Sequence, residues 1–156
     1  MPEFEEGWID TVRGTINIDD CDVNGHLNVK SYFGIFCDAS DYLTSHLGIY
    51  YSDLASEGRG LVSIVNTIRY LDELHDGDRY VVQSAVVRLG GTSIRYVSRL
   101  MNVATGSISA TSDLTEAHFN LETRKTQPWS DGDRARIGAM VLTLSDEDLA
   151  WYAGGR

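Results

Sequence analysis

Cysteine and proline are scarce in this chain of 156 residues, which holds two of each. Cys21 lies beside an acidic turn and Cys37 in an apolar stretch. Neither belongs to a Cys-x-x-Cys pair, so both read as free thiols rather than as a disulfide framework. Pro2 and Pro128 lie near the ends, and no Pro/Gly linker, repeat or low-complexity tract divides the chain, which predicts one domain over residues 1–156. Positive charge is also in short supply. Thirteen Lys and Arg stand against 23 Asp and Glu, a formal net charge of −10 that repels polyanions and argues against nucleic acid or an anionic membrane as a principal partner. No apolar run approaches the roughly 20 residues that a bilayer crossing takes. Glu3, Glu5 and Glu6 stand where a secretory signal would be basic and then apolar, so the expectation is a cytoplasmic protein.

What is present is an ordinary globular composition, 42% apolar and 23% charged, with two kinds of periodicity. Residues Ile9 to Ile18 alternate imperfectly and favour a first strand. Asp19 to Asn28 are dense in turn formers, with Gly25 suited to a positive φ and Asn28 placed to cap a helix. From about Val29 to Leu47, Tyr32, Phe33, Ile35, Phe36, Ala39, Tyr42, Leu43 and Leu47 recur at helical spacing and cover more than one stripe. This predicts a long, largely buried helix with Tyr32, Phe33 and Phe36 in the core, stopped at Gly48. A short helical turn is expected at Ser52 to Glu57.

Four segments rich in Val, Ile, Thr, Ser and Tyr follow: Leu61 to Tyr70, Arg79 to Leu89, Ser93 to Met101 and Ser107 to Phe119. The turns between them are too short for parallel crossovers, so the strands pair antiparallel, with Gly90-Gly91 as a hairpin turn rather than a dinucleotide fingerprint. Asp133 to Leu142 and, after Ser145 as cap, Asp146 to Tyr152 read as helical. The fold class is α+β: one long central helix wrapped by a curved antiparallel sheet of about five strands.

The turn before the helix carries the most specific pattern. Asp22-Val23-Asn24-Gly25-His26-Leu27-Asn28, followed by Tyr32, resembles the Asp-x-x-Gly-His-x-Asn-x-x-x-Tyr signature of hotdog-fold acyl-CoA thioesterases of the 4-hydroxybenzoyl-CoA thioesterase family. Tyr70-Leu71-Asp72-Glu73-Leu74-His75-Asp76-Gly77-Asp78 resembles the family's strand-turn-strand element. His118 to Lys125 is nearest to the subgroup that includes betainyl-CoA thioesterases, and the resemblance spans roughly Val12 to Lys125.

It implies an acyl-CoA thioester hydrolase without cofactor or metal. Asp22 would be nucleophile or general base, and the Val29 amide at the helix N-terminus would polarise the thioester carbonyl. Gly25 would allow close approach, Asn28 would cap the helix, and His26 would pack in or border the pocket. Tyr32, Asn66, Tyr70 and Glu73 are candidate substrate contacts, with Glu73 either assisting or structural. The resemblance further implies a homodimer or tetramer whose pocket joins one subunit's Asp22 loop to the other's strands near Asn66 and Tyr70.

A thiol leaving group with a pKa of about 8 to 10 departs without a dedicated general acid, so one carboxylate and one oxyanion donor make a sufficient set. Asp22 read without the signature is an Asx-turn residue. A metal site from Cys21, Asp22 and His26 matches no common zinc spacing, and no Gly-x-Ser-x-Gly elbow supports a Ser-His-Asp triad. His75 and His118 read as ordinary turn and strand residues. A basic patch for CoA would draw on Arg88, Arg95, Arg99, Arg124 and Lys125, and Tyr70 or Trp129 suits a cationic acyl group. The rival readings are a hotdog hydratase acting on enoyl or hydroxyacyl thioesters and a non-catalytic acyl-CoA-binding module.

Overall fold

The computed structural model describes residues 7–155; the acidic Glu3, Glu5 and Glu6 lie outside that range. The elements run β1 (Ile9–Thr15), α1 (Val29–His46), α2 (Tyr51–Ser56), β2 (Arg59–Tyr70), β3 (Arg79–Leu89), β4 (Ser93–Asn102), β5 (Ile108–Asn120), β6 (Lys125–Thr126), α3 (Asp131–Gly138) and α4 (Asp146–Tyr152). All the main pairings are antiparallel, in the order β1-β3-β4-β5-β2, and the two-residue β6 pairs with the end of β5. Register shifts at Asp10/Val12, Ser63/Val65, Val86/Arg88 and Leu100/Met101 are bulges, which bend the strands and curl the sheet around α1.

The expected β1 runs too far. Ile16 leaves the strand to become a buried core residue, and Ile18–Asp20 form a 3-10 turn, because Asn17 and Asp20 cap each other there. Helix α3 begins two residues earlier than its pattern suggests, since Ser130 accepts from the Asp133 amide at 3.1 Å, and it stops at Gly138. Val141 then bridges to Val86 on β3.

Helix α1 starts where Asn28 Oδ1 accepts from the Lys30 amide at 2.9 Å, and the chain turns away at Gly48 with φ 72°. It buries one stripe, formed by Tyr32, Phe36, Ala39, Ser40, Leu43 and Thr44. The reading that Phe33 is core fails in the isolated chain: Phe33 is 51% and Tyr42 62% exposed, because the sheet wraps only one side of the helix. Below α1 the core divides into two clusters, one around Leu43, Leu47, Tyr96 and Ile137, the other around Tyr32, Phe36, Val82 and Leu100.

Between the clusters runs a polar row. Thr11 and Ser84 hydroxyls lie 3.1 Å apart, Ser84 and Ser98 2.7 Å, and Ser112 donates to Asn66 Oδ1 at 2.8 Å. The hydrogen bonds among these side chains offset the cost of burying them. The opposite face of the sheet carries Arg99 against the Trp8 ring at 4.2 Å, Arg69 against Trp151 at 4.8 Å, and α4.

Candidate active site

The Asp22 loop is closed at its base by a bridge between Cys21 and Leu27 and by the Asp22 amide donating to the His26 carbonyl at 2.8 Å. Gly25, at φ 84°, makes the turn, with its amide on the Asp22 carbonyl at 3.0 Å. Asp22 Oδ1 accepts from the Asn24 amide at 2.8 Å and the His26 amide at 3.4 Å, so the Asx turn is real. That arrangement fixes the carboxyl through one oxygen. Oδ2 has no hydrogen-bond partner among the described residues.

The amides of the first turn of α1 are not all spent. Lys30 N–H donates to the cap, and Ser31 and Tyr32 N–H donate to the Asn28 carbonyl at 2.8 and 3.0 Å. The Val29 N–H meets no acceptor among the described residues. It is an open donor at the positive end of an 18-residue helix.

Asp22 and Val29 both line a cleft of about 380 Å³, together with His26, Leu27, Tyr32, Tyr70, Leu71, Asp72 and Glu73. The Tyr32 and Tyr70 rings meet edge to face at 5.3 Å, and the Tyr32 hydroxyl donates to the Asp72 carbonyl at 3.3 Å. Burial, with Asp72 nearby, pushes Tyr32 up to about 12, so it remains a neutral donor. Burial also raises Tyr70. Glu73 lies 3.2 Å from His26 Nε2.

Of the residues singled out from sequence, Asp22, His26, Val29, Tyr32, Tyr70 and Glu73 meet in this cleft. Gly25 and Asn28 do not line it: Gly25 turns the loop and Asn28 caps α1. Asn66 does not line it, since its side chain is taken by Ser112 in the row beneath α1. Tyr70 lines the cleft of its own chain. Trp129 is 4% exposed and stacked on His118 at 4.4 Å, so it is unavailable to an acyl group. The basic candidates scatter. Arg88 and Arg95 share a groove of about 610 Å³ elsewhere on the sheet, and Arg95 is already paired with Asp113 at 2.7 Å. Leu71 and Asp72 escaped the sequence reading although they lie inside its second motif. Only the path of the β2–β3 connection brings them to the cleft.

The model of the Thioesterase-like superfamily matches residues 16–137. The chain belongs to this superfamily. Its fold is the hotdog fold seen in solved thioesterases. Among curated relatives, the L-carnitine dehydrogenase/betainyl-CoA thioesterase of Ruegeria pomeroyi is 27% identical over 138 residues, covering 86% of this chain and 28% of that protein. The chain thus spans little more than a quarter of that relative. The betainyl-CoA thioesterase of Pseudomonas aeruginosa is 24% identical over 120 residues, 77% of this chain and 76% of that one. A Staphylococcus aureus protein solved in complex with CoA superposes with a TM-score of 0.79 at 18% identity, over 86% of both chains. The matched span contains the Asp22 loop, α1 and the whole β2–β5 sheet, so every residue lining the cleft lies within the superfamily's own segment.

No helix among the described residues is long and apolar enough to cross a membrane.

Proposed function

We propose that this chain is a single-domain acyl-CoA thioesterase of the hotdog fold, releasing CoA and a small carboxylic acid. The observation that carries the reading is that Asp22, with Oδ2 unengaged, and Val29, with its N–H unengaged among the described residues, line the same cleft. In this mechanism the thioester carbonyl oxygen accepts from Val29 N–H, and the helix dipole stabilises the negative charge that develops on that oxygen. Asp22 Oδ2 either attacks the carbonyl carbon, expelling CoA thiolate and leaving an anhydride for water to hydrolyse, or takes a proton from an attacking water. In both routes the Asx turn holds the carboxyl so that a single oxygen faces the substrate, which reduces the entropy lost at the transition state.

The acyl end of the cleft is aromatic and acidic. Tyr32, Tyr70, Asp72 and Glu73 suit a small cationic acyl group held by ring faces and carboxylates. The betainyl-CoA relatives support the same substrate class.

The active unit is a homodimer formed along β2. This 12-residue end strand exposes Val62, Ile64 and Val65, and the open face of α1 adds Val29 and Phe33.

Incubating the protein with betainyl-CoA and with neutral short-chain and aromatic acyl-CoAs, in the presence of a thiol-trapping dye, tests the reading. The expected result is CoA release that is fastest from the cationic ester. Equal or faster release from neutral esters removes the cationic acyl group and leaves the hydrolase. Binding without release would instead identify an acyl-CoA-binding module, and a hydroxyacyl product a hydratase.

A further inference from the structure

We propose that His26, Glu73 and His75 form a binding site for a divalent transition-metal ion at the rim of the cleft. The site follows from how two loops are stapled together. The Leu27 amide donates to the Leu74 carbonyl at 2.7 Å, and both leucines are buried, Leu27 at 4% and Leu74 at 0% exposure. In extended chain the neighbours of an inward residue point outward, so Glu73 and His75 emerge on one side of Leu74 and His26 emerges beside them.

The result is compact. His26 Nε2 lies 3.2 Å and His75 Nε2 3.8 Å from the same Glu73 oxygen, the two imidazoles stand at 90° with centroids 5.3 Å apart, and the three ligand atoms lie within 4.8 Å of one another. A tetrahedral ion with bonds of about 2.1 Å separates its ligand atoms by roughly 3.4 Å, so side-chain rotation alone closes the set.

The backbone beneath is fixed. His75 N–H donates to Asp78 Oδ2 at 2.9 Å, Asp78 N–H to the His75 carbonyl at 3.0 Å, and Gly77 N–H to the Ile16 carbonyl at 2.9 Å. The same Asp78 oxygen lies 3.8 Å from His75 Nδ1. Asp78 thus holds the His75 backbone and lies on the Nδ1 side of its ring, while Nε2 is the nitrogen on the Glu73 side. Two imidazoles and one carboxylate select zinc, cobalt or nickel over magnesium or calcium, which prefer all-oxygen shells. Three protein ligands leave a fourth position open to solvent or to a ligand entering the cleft.

Because His26 and Glu73 also line the cleft, an ion bound here immobilises one wall of it, and zinc acts as a reversible inhibitor of whatever the cleft turns over. Metal binding itself does not depend on the hydrolase reading.

The test titrates the full chain, stripped with chelator, with Zn²⁺ by calorimetry and with Co²⁺ by visible absorption. The expected result is one ion per chain, a cobalt spectrum without thiolate charge-transfer bands, and affinity at least about tenfold weaker in His75→Ala. Glu73→Gln supplies the same readout should His75→Ala misfold. A Cys21→Ser/Cys37→Ser variant should bind as the parent does. No saturable binding, binding unchanged by His75→Ala and Glu73→Gln, or binding lost with the cysteines would each overturn the site. A second readout is zinc inhibition of CoA release in the parent and its loss in His75→Ala. If CoA release is absent altogether, the hydrolase reading fails while the calorimetry still decides the metal site.

Discussion

Glu116, 5% exposed on β5, accepts from the Tyr96 hydroxyl and, at 3.1 Å, from Ser63, and no cation pairs with it among the described residues. Burial raises its carboxyl from an ordinary 4.5 to about 7, with Asp41 adding to the rise. A raised acid holds its proton more tightly in the folded chain than in the unfolded one. Its contribution to stability is therefore complete below about pH 4.5 and disappears as pH rises through about 7.

His118 acts in the opposite direction. Desolvation and the Arg59 guanidinium, 3.1 Å from Nε2, lower it from 6.5, so acidification below that value costs stability. Comparing the parent with Glu116→Gln isolates the carboxyl. Urea midpoints across pH 5 to 8 should show the parent losing stability relative to the variant as pH rises, by something on the order of 3 kcal/mol in all. A difference independent of pH would mean that Glu116 is already ionised in the fold.

At the scale of elements, much of this fold was legible in the sequence, and the misses have definite causes. The long helix, its Asn28 cap and the four antiparallel strands follow from period, turn residues and loop length, all of which are local. Residues Ile16 to Ile18 depart from the expected strand because alternation does not report the reciprocal Asn17–Asp20 cap that breaks it. Phe33 reads as core in the sequence, and Tyr42 as part of a largely buried helix, because helical spacing counts apolar residues without knowing how far a sheet reaches round them. In the cleft, the Asp22 loop and the helix start were readable as one contiguous motif. The Leu27–Leu74 staple was not, because it joins residues 47 positions apart, and with it His75 went unnoticed beside His26.

The contact between α1 and the sheet makes its own prediction. Ala39 is fully buried in the core cluster that holds Phe36, Val82 and Leu100, so Ala39→Leu should overpack it and cost about 1–3 kcal/mol in a denaturant titration. A neutral result would show that the helix stands farther from the sheet than described.

For the molecule as a whole, the outstanding feature is the bare β2 edge together with the open face of α1. An exposed, 12-residue end strand with Ile64 at 62% and Val65 at 54% exposure is an invitation to pair with another strand. Ile64→Lys should convert a dimeric parent into a monomer in sedimentation velocity, at unchanged far-ultraviolet circular dichroism. A parent that already sediments as a monomer at micromolar concentration contradicts the proposed assembly.

The proposed chemistry rests on Asp22 and the start of α1 lining one cleft. Asn keeps Oδ1 for the Asn24 and His26 amides, so Asp22→Asn preserves the loop and removes only the carboxylate. Single-turnover release of CoA from the best ester should then fall about a hundredfold or more, with the unfolding midpoint close to the parent's. Release at the parent's rate from a folded Asp22→Asn chain would contradict the account.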